Sequence, residues 1–228
     1  MLLDRRTVMG TTFALSTAAA LPATAQTGAA ASSSFPPLPT PFDATLVLGL
    51  SARLLTSHHD NNYVGAVKRL GAIRAETAKL DPATVPGFML NGLKREELIA
   101  WNSMVLHEIY FSNLGHPVAP GKALAAAIER DFGSHERWSA EFAAMGKALG
   151  GGSGWVLLQW SPHDNRLVNQ WAADHTMTLA GGVPLLALDM YEHAYAMDFG
   201  AKAGAYVDTV MAALDWTQAD RRFAKATA

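Results

Sequence analysis

The stretch LALDMYEHAYAMDFG, residues 186–200, sets the tightest condition on how this chain can fold. Its first half is an apolar run that belongs in a core, yet it carries Asp189 and, four residues on, His193. An acid and an imidazole are poorly tolerated in an apolar interior unless something pairs with them. The fold has to bring partners to this pair.

Composition narrows what those partners can be. The sequence has no cysteine, which removes disulfides, thiolate metal sites and cysteine nucleophiles together. Any metal must then be held by imidazole and carboxylate, ligands that suit iron, manganese or zinc. The formal net charge is −2, and no basic block or aromatic-interleaved Lys/Arg patch is present, so there is no electrostatic case for nucleic acid. With 228 residues, 50% of them hydrophobic, the chain suffices for one or two compact domains.

The N-terminus reads as a targeting segment. Arg5 and Arg6 precede VMGTTFALSTAAAL, and ATAQ offers a small-x-small cleavage site after Ala25. Residues 1–25 are therefore expected to be a signal peptide, too short and too rich in small residues to span a membrane. The paired arginines resemble a twin-arginine signal; an ordinary secretory signal with two incidental arginines is the other reading. Either way the expected location is periplasmic or secreted, in a bacterium, with no membrane anchor after cleavage.

Residues 26–43, rich in Ser, Ala and Pro, read as a linker and extended arm. Ser51 is placed to cap a long helix running to about Leu80, where DPATVPG stops it. A second helix, LKREELIAWNSMVLHEIYFSNLG, ends at Gly115. Residues 44–115 are thus expected to form an antiparallel helical hairpin. In residues 116–228, two helices (Ser134 capping the second) precede three short strands, SGWVLLQW, NRLVNQWAA and VPLLALDM. The residues from Tyr191 to Trp216 read as a closing helix. The order of helices, strands and helices predicts an α+β fold with a C-terminal α/β domain.

Among the eight histidines, His116, His135 and His163 sit in turns or a first helical turn and read as solvated. His58, His107 and His193 have helical, largely apolar surroundings. Helical spacing puts His58 on a face with Asn62 and Ala66, and His107 with Ser103 and Phe111. If a helix starts at the end of the third strand, Asp189 and His193 point the same way. Spacing permits these groups to meet around a cation. It equally permits core histidines satisfied by backbone, with Asp189 as a cap.

DMYEHAY resembles the D-x-W-E-H-A-Y signature of the iron/manganese superoxide dismutases. FGSHERWSAEF, GGGSGWVLL, the arm FPPLPTPFDATLVLGLSARLL and the closing YVDTVMAALDW resemble further blocks of that family, in order, over residues 35–216. The resemblance implies a helical hairpin followed by a domain with a three-stranded antiparallel sheet. It implies one iron or manganese ion per subunit, held by His58, His107, Asp189 and His193, and superoxide as the small anionic substrate. It also implies a homodimer or dimer of dimers, in which Glu192 accepts a hydrogen bond from the His193 ring of a second subunit. Tyr195 would border that interface, and Trp155 the metal pocket.

The chain departs from the family pattern where the first helix usually reads H-x-x-x-H-H-x-x-Y. Aligned without a gap from His58, Asn62 stands at the second histidine and Ala66 at the tyrosine that gates entry, with Tyr63 one turn earlier as the expected substitute. Tyr191 replaces the signature tryptophan. Ser103 stands where iron forms supply a glutamine to the solvent on the metal and is too short to reach. His175 in the loop after the second strand is the expected replacement, or Asp174 if the alignment shifts by one. His175 and Tyr63 together are the expected proton relay. Lys68, Arg69 and Lys202 are candidates for steering the anion. Two competing readings are a poorly active or non-enzymatic metal-binding relative, and a metal-dependent hydrolase.

Overall fold

A computed structural model describes residues 36–41, 43–45 and 47–228. The expected signal peptide and most of the expected linker lie outside the described residues. The first helical run is α1 (Ala52–Ser57), a π-helical turn (His58–Tyr63) and α2 (Val64–Thr77). Ser51 caps it, its hydroxyl accepting from Leu54 N at 3.0 Å. The π turn, closed by Val64 N–H on His59 O, differs from the uninterrupted helix expected from the sequence. It winds an extra residue into the turn and so changes which side chains share a face. Helix α3 (Gly87–Ser112) returns alongside α2, with ion pairs Arg69–Glu96 and Arg74–Glu97 across the hairpin.

Helices α4 (Lys122–Phe132) and α5 (His135–Ala148) follow, the latter capped by Ser134. The sheet is β1 (Trp155–Ser161), β2 (Arg166–Ala172) and β3 (Val183–Asp189), antiparallel in the order β2-β1-β3. Trp155 pairs with Asp189 on one side and Ala172 on the other, so indole and carboxylate emerge on one face. Gly154, just before β1, has φ 135°, and a Cβ there would lie 2.3 Å from Ala172 O. Only glycine lets the chain enter the sheet at this point.

The segment from Tyr191 to Trp216, expected as one helix, is broken. A 3₁₀ turn (Glu192–Ala194), a short α6 (Ala196–Phe199) and α7 (Ala203–Ala212) take its place. A further helix, α8 (Thr217–Thr227), buries Ala219 and Phe223. Helix α3 packs on β3, and one continuous apolar core joins hairpin and sheet. No helix among the described residues is long and apolar enough to cross a membrane.

Candidate metal centre

The pairing of Asp189 with His193 does not come from a helix. Asp189 is the last residue of β3, and its Oδ1 accepts from Tyr191 N at 2.9 Å. This Asx-type turn leads into the 3₁₀ turn that carries His193. Oδ2 is left facing the helices, 3.2 Å from His193 Nε2 and 3.1 Å from His58 Nε2. His107 Nε2, from α3, lies 3.5 Å from the same oxygen. All four ligand atoms lie within 4.8 Å of one another. Asp189, His58 and His107 are fully buried, and His193 is partly exposed.

Tautomers decide whether this cluster satisfies itself. His107 Nδ1 is 2.6 Å from Ser103 O, so the ring proton is on Nδ1 and donates to that carbonyl. The bare lone pair of Nε2 then faces a carboxylate oxygen, and Nε2 has no hydrogen-bond partner. These two electron-rich atoms are buried 3.5 Å apart, and a cation between them would satisfy both. Three imidazoles and one carboxylate are a donor set that suits iron or manganese, and the residues fit such an ion.

Electrostatics point the same way. Burial would raise the Asp189 carboxyl, but the hydrogen bonds from His193 and His58 hold it well below the usual carboxylate range. Burial pushes His107 down to about 3, helped by the neighbouring His58. His58 is lowered chiefly by burial, against the pull of Asp189. Neutral imidazoles facing an ionised carboxylate are the protonation state that a metal needs.

The surroundings hold the ligands in place. Tyr206 donates from its hydroxyl to Asp189 O at 2.8 Å; having one proton to give, it must accept from Tyr110, 3.2 Å away. His175 Nδ1 accepts from Trp155 Nε1 at 3.0 Å, and its backbone carbonyl accepts from Asn102 Nδ2 at 2.6 Å. The His175 ring stacks on Tyr191, 4.8 Å between centroids, and Tyr191 stacks in turn on His193. Tyr191 is therefore a spacer between two imidazoles. Asp174 is turned away: its Oδ1 accepts from Thr176 N and Oγ and shapes the loop.

A cavity of about 290 Å³ lies beside the cluster, lined among others by Asn62, Ala66, Arg69, Ser103 and His175. The positions aligned with the family's second histidine and gate tyrosine both line it. Tyr63 does not. Its hydroxyl accepts from Leu38 N and donates to Glu108 on the arm side of the hairpin. Tyr63 therefore stands outside the cavity lining, and the expected relay joins it to His175 only through intervening groups. Of the three expected cationic steering residues, Arg69 alone lines the cavity, paired with Glu96. Glu192 is exposed beside His193, and Tyr195 is buried against Tyr206.

Residues 120–222 match the family described as iron/manganese superoxide dismutases, C-terminal domain. A superoxide dismutase [Fe] of Cupriavidus metallidurans is 68% identical over 178 residues, covering 78% of this chain and 90% of that protein. A superoxide dismutase [Mn] 1 of Halobacterium salinarum is 34% identical, covering 84% of this chain and 94% of the relative. A superoxide dismutase [Fe] of Pyrobaculum aerophilum is 30% identical over 203 residues, covering 84% and 92%. This chain belongs to the iron/manganese superoxide dismutase family. The hairpin and three-stranded sheet are that family's architecture, and the four converging ligand atoms form a group able to hold one metal ion. Sequence reasoning missed Asn102, Tyr110 and Tyr206. Asn102 and Tyr206 act through backbone carbonyls and Tyr110 through the Tyr206 hydroxyl, and no spacing rule marks such partners in advance.

Proposed function

We propose that this chain is an iron-dependent superoxide dismutase, with His58, His107 and His193 holding the ion through Nε2 and Asp189 through Oδ2. The observation that carries it is the His107 Nε2 lone pair facing Asp189 Oδ2 at 3.5 Å, an arrangement that a bound cation would satisfy. The choice of iron follows the relative that is 68% identical. Such an ion supplies a one-electron couple, so that one superoxide is oxidised to dioxygen and another reduced to hydrogen peroxide.

The protein's own part is to fix the ligands and move protons. Ser103 O sets the His107 tautomer, and Tyr191 N holds the Asp189 carboxylate with Oδ2 presented. Trp155 N–H donates to His175 Nδ1, so the neutral His175 ring carries its proton on Nε2. That N–H is a hydrogen-bond donor on a residue that lines the cavity. Among the described residues that line the cavity there is no carboxylate of the kind a metal-dependent hydrolase uses beside its bound water. Metal analysis and superoxide assays on iron-loaded and manganese-loaded protein test the reading. Turnover with iron is expected; metal binding without turnover by either form overturns it.

We also infer that the chain is exported to the periplasm by a twin-arginine signal and acts there as a homodimer. Arg5 and Arg6 ahead of the apolar run support export. An exposed Glu192 next to a partly exposed His193 supports a reciprocal contact between subunits. N-terminal sequencing of protein from the periplasmic fraction tests the first inference. Light scattering of the wild-type and Glu192→Ala proteins tests the second, with loss of the dimer expected in the variant.

A further inference from the structure

Hydrogen peroxide formation takes one electron and two protons per superoxide, and the cavity walls are poorly supplied with protons. The amides of Asn61 and Asn62 and the Ser103 hydroxyl are not acids near neutral pH, and Arg69 never gives up its charge. His175 has one nitrogen committed to Trp155, which leaves a single N–H. The phenol closest in sequence, Tyr63, is bonded to Glu108 and Leu38 instead. Space is what the cavity has in excess. Its volume is about 290 Å³, whereas a water molecule takes ~30 Å³ in the liquid. Ala66 ends at Cβ on its wall, and beside it an added Cβ on Gly65 would meet nothing within 4 Å.

We propose that this cavity is a binding site for small, ring-sized proton carriers of the imidazole class, which act as a mobile general acid in place of a wall side chain. The inference rests on the dismutase reading above. The Asn61, Asn62 and Ser103 groups would hydrogen-bond the ring's two nitrogens, and the ring would lie against Ala66. Per hydrogen peroxide formed, superoxide takes up one electron from the resident redox couple and two protons. Each proton passed from the carrier's N–H is replaced at its other nitrogen from bulk water, so the carrier leaves unchanged.

The test titrates imidazole into the iron-loaded enzyme at saturating superoxide, with pyrazole as a ring of the same shape but far weaker basicity. A severalfold rise in kcat with imidazole, none with pyrazole, and loss of the rise in Ala66→Tyr are expected. Gly65→Met is the second cavity-filling variant, should Ala66→Tyr fold poorly. Independently of turnover, imidazole is expected to shift the side-chain amide resonances of Asn61 and Asn62 in metal-free protein, and not in the filled variants. A kcat indifferent to imidazole in an enzyme that dismutes superoxide overturns the proposal, as do unmoved amide resonances. Absence of dismutation altogether overturns the reading beneath it instead.

Discussion

Trp155 donates its indole N–H to His175 Nδ1 at 3.0 Å, and this one contact settles which nitrogen of His175 carries a proton. The indole can only donate, so Nδ1 must accept and Nε2 must hold the hydrogen. Burial lowers the His175 pKa, which keeps the ring neutral and the assignment intact near pH 7. Trp155→Phe keeps an aromatic wall against His107 but frees the tautomer. Activity is expected to fall ~10–100-fold, the range for losing a partner of this kind. Metal content should hold, and the pH–rate profile should move. An unmoved profile would mean that the indole only fills space.

His107→Gln separates the metal's contribution from the pocket's own. With an ion bound, losing this ligand should cost occupancy and thermal stability together, because binding energy at a folded site is folding energy. Without an ion the sign reverses. The glutamine amide can donate to Asp189 Oδ2, where the His107 lone pair only opposes it. Metal-free His107→Gln is expected to be more stable than metal-free wild type by ~1–3 kcal/mol, the cost of an unsatisfied buried group. Chemical denaturation of both proteins in chelator gives the comparison.

Tyr206 supports the site through the backbone. Its hydroxyl holds the Asp189 carbonyl and accepts from Tyr110 in a fully buried pair of phenols. Tyr206→Phe leaves both the carbonyl and the Tyr110 hydroxyl short of a partner, at ~1–3 kcal/mol for each buried group left unsatisfied. A lower denaturation midpoint with metal still bound is the expected result; loss of metal would show that Asp189 had moved.

What the sequence revealed follows from how each feature is encoded. Strands, caps and the hairpin rest on local signals: Ser51 and Ser134 cap the helices they precede, and Trp155–Ser161 is a strand where the apolar run stands. The convergence of Asp189 and His193 was legible, but its cause was not. Four residues apart suggests one helix turn, whereas a strand end and an Asx-type turn produce the same proximity. The placement of Tyr63 against Glu108 and Leu38 was likewise not marked by any spacing rule. Helical faces are counted at 3.6 residues per turn, and the π turn from His58 to Tyr63 breaks that count where function depends on it.

Acid should unfold the metal-free protein in a defined window. Burial lowers the folded-state pKa of His58, His107 and His175, His107 to about 3. In the unfolded chain these rings titrate near 6.5. Below that pH the unfolded state binds protons that the folded state refuses, so stability falls as pH falls, and for His107 it continues to fall to about pH 3. Asp189, depressed in the folded state, adds a loss of the same sign below its unfolded pKa of 3.8. The slope is bounded at ~1.4 kcal/mol per pH unit for each group that titrates only in the unfolded chain. Urea denaturation in chelator at pH 7.5, 6, 5 and 4 measures it. Replacing His107 by glutamine should remove one group's share of the slope, and equal slopes in the two proteins would show that His107 protonates in the folded state as readily as in water.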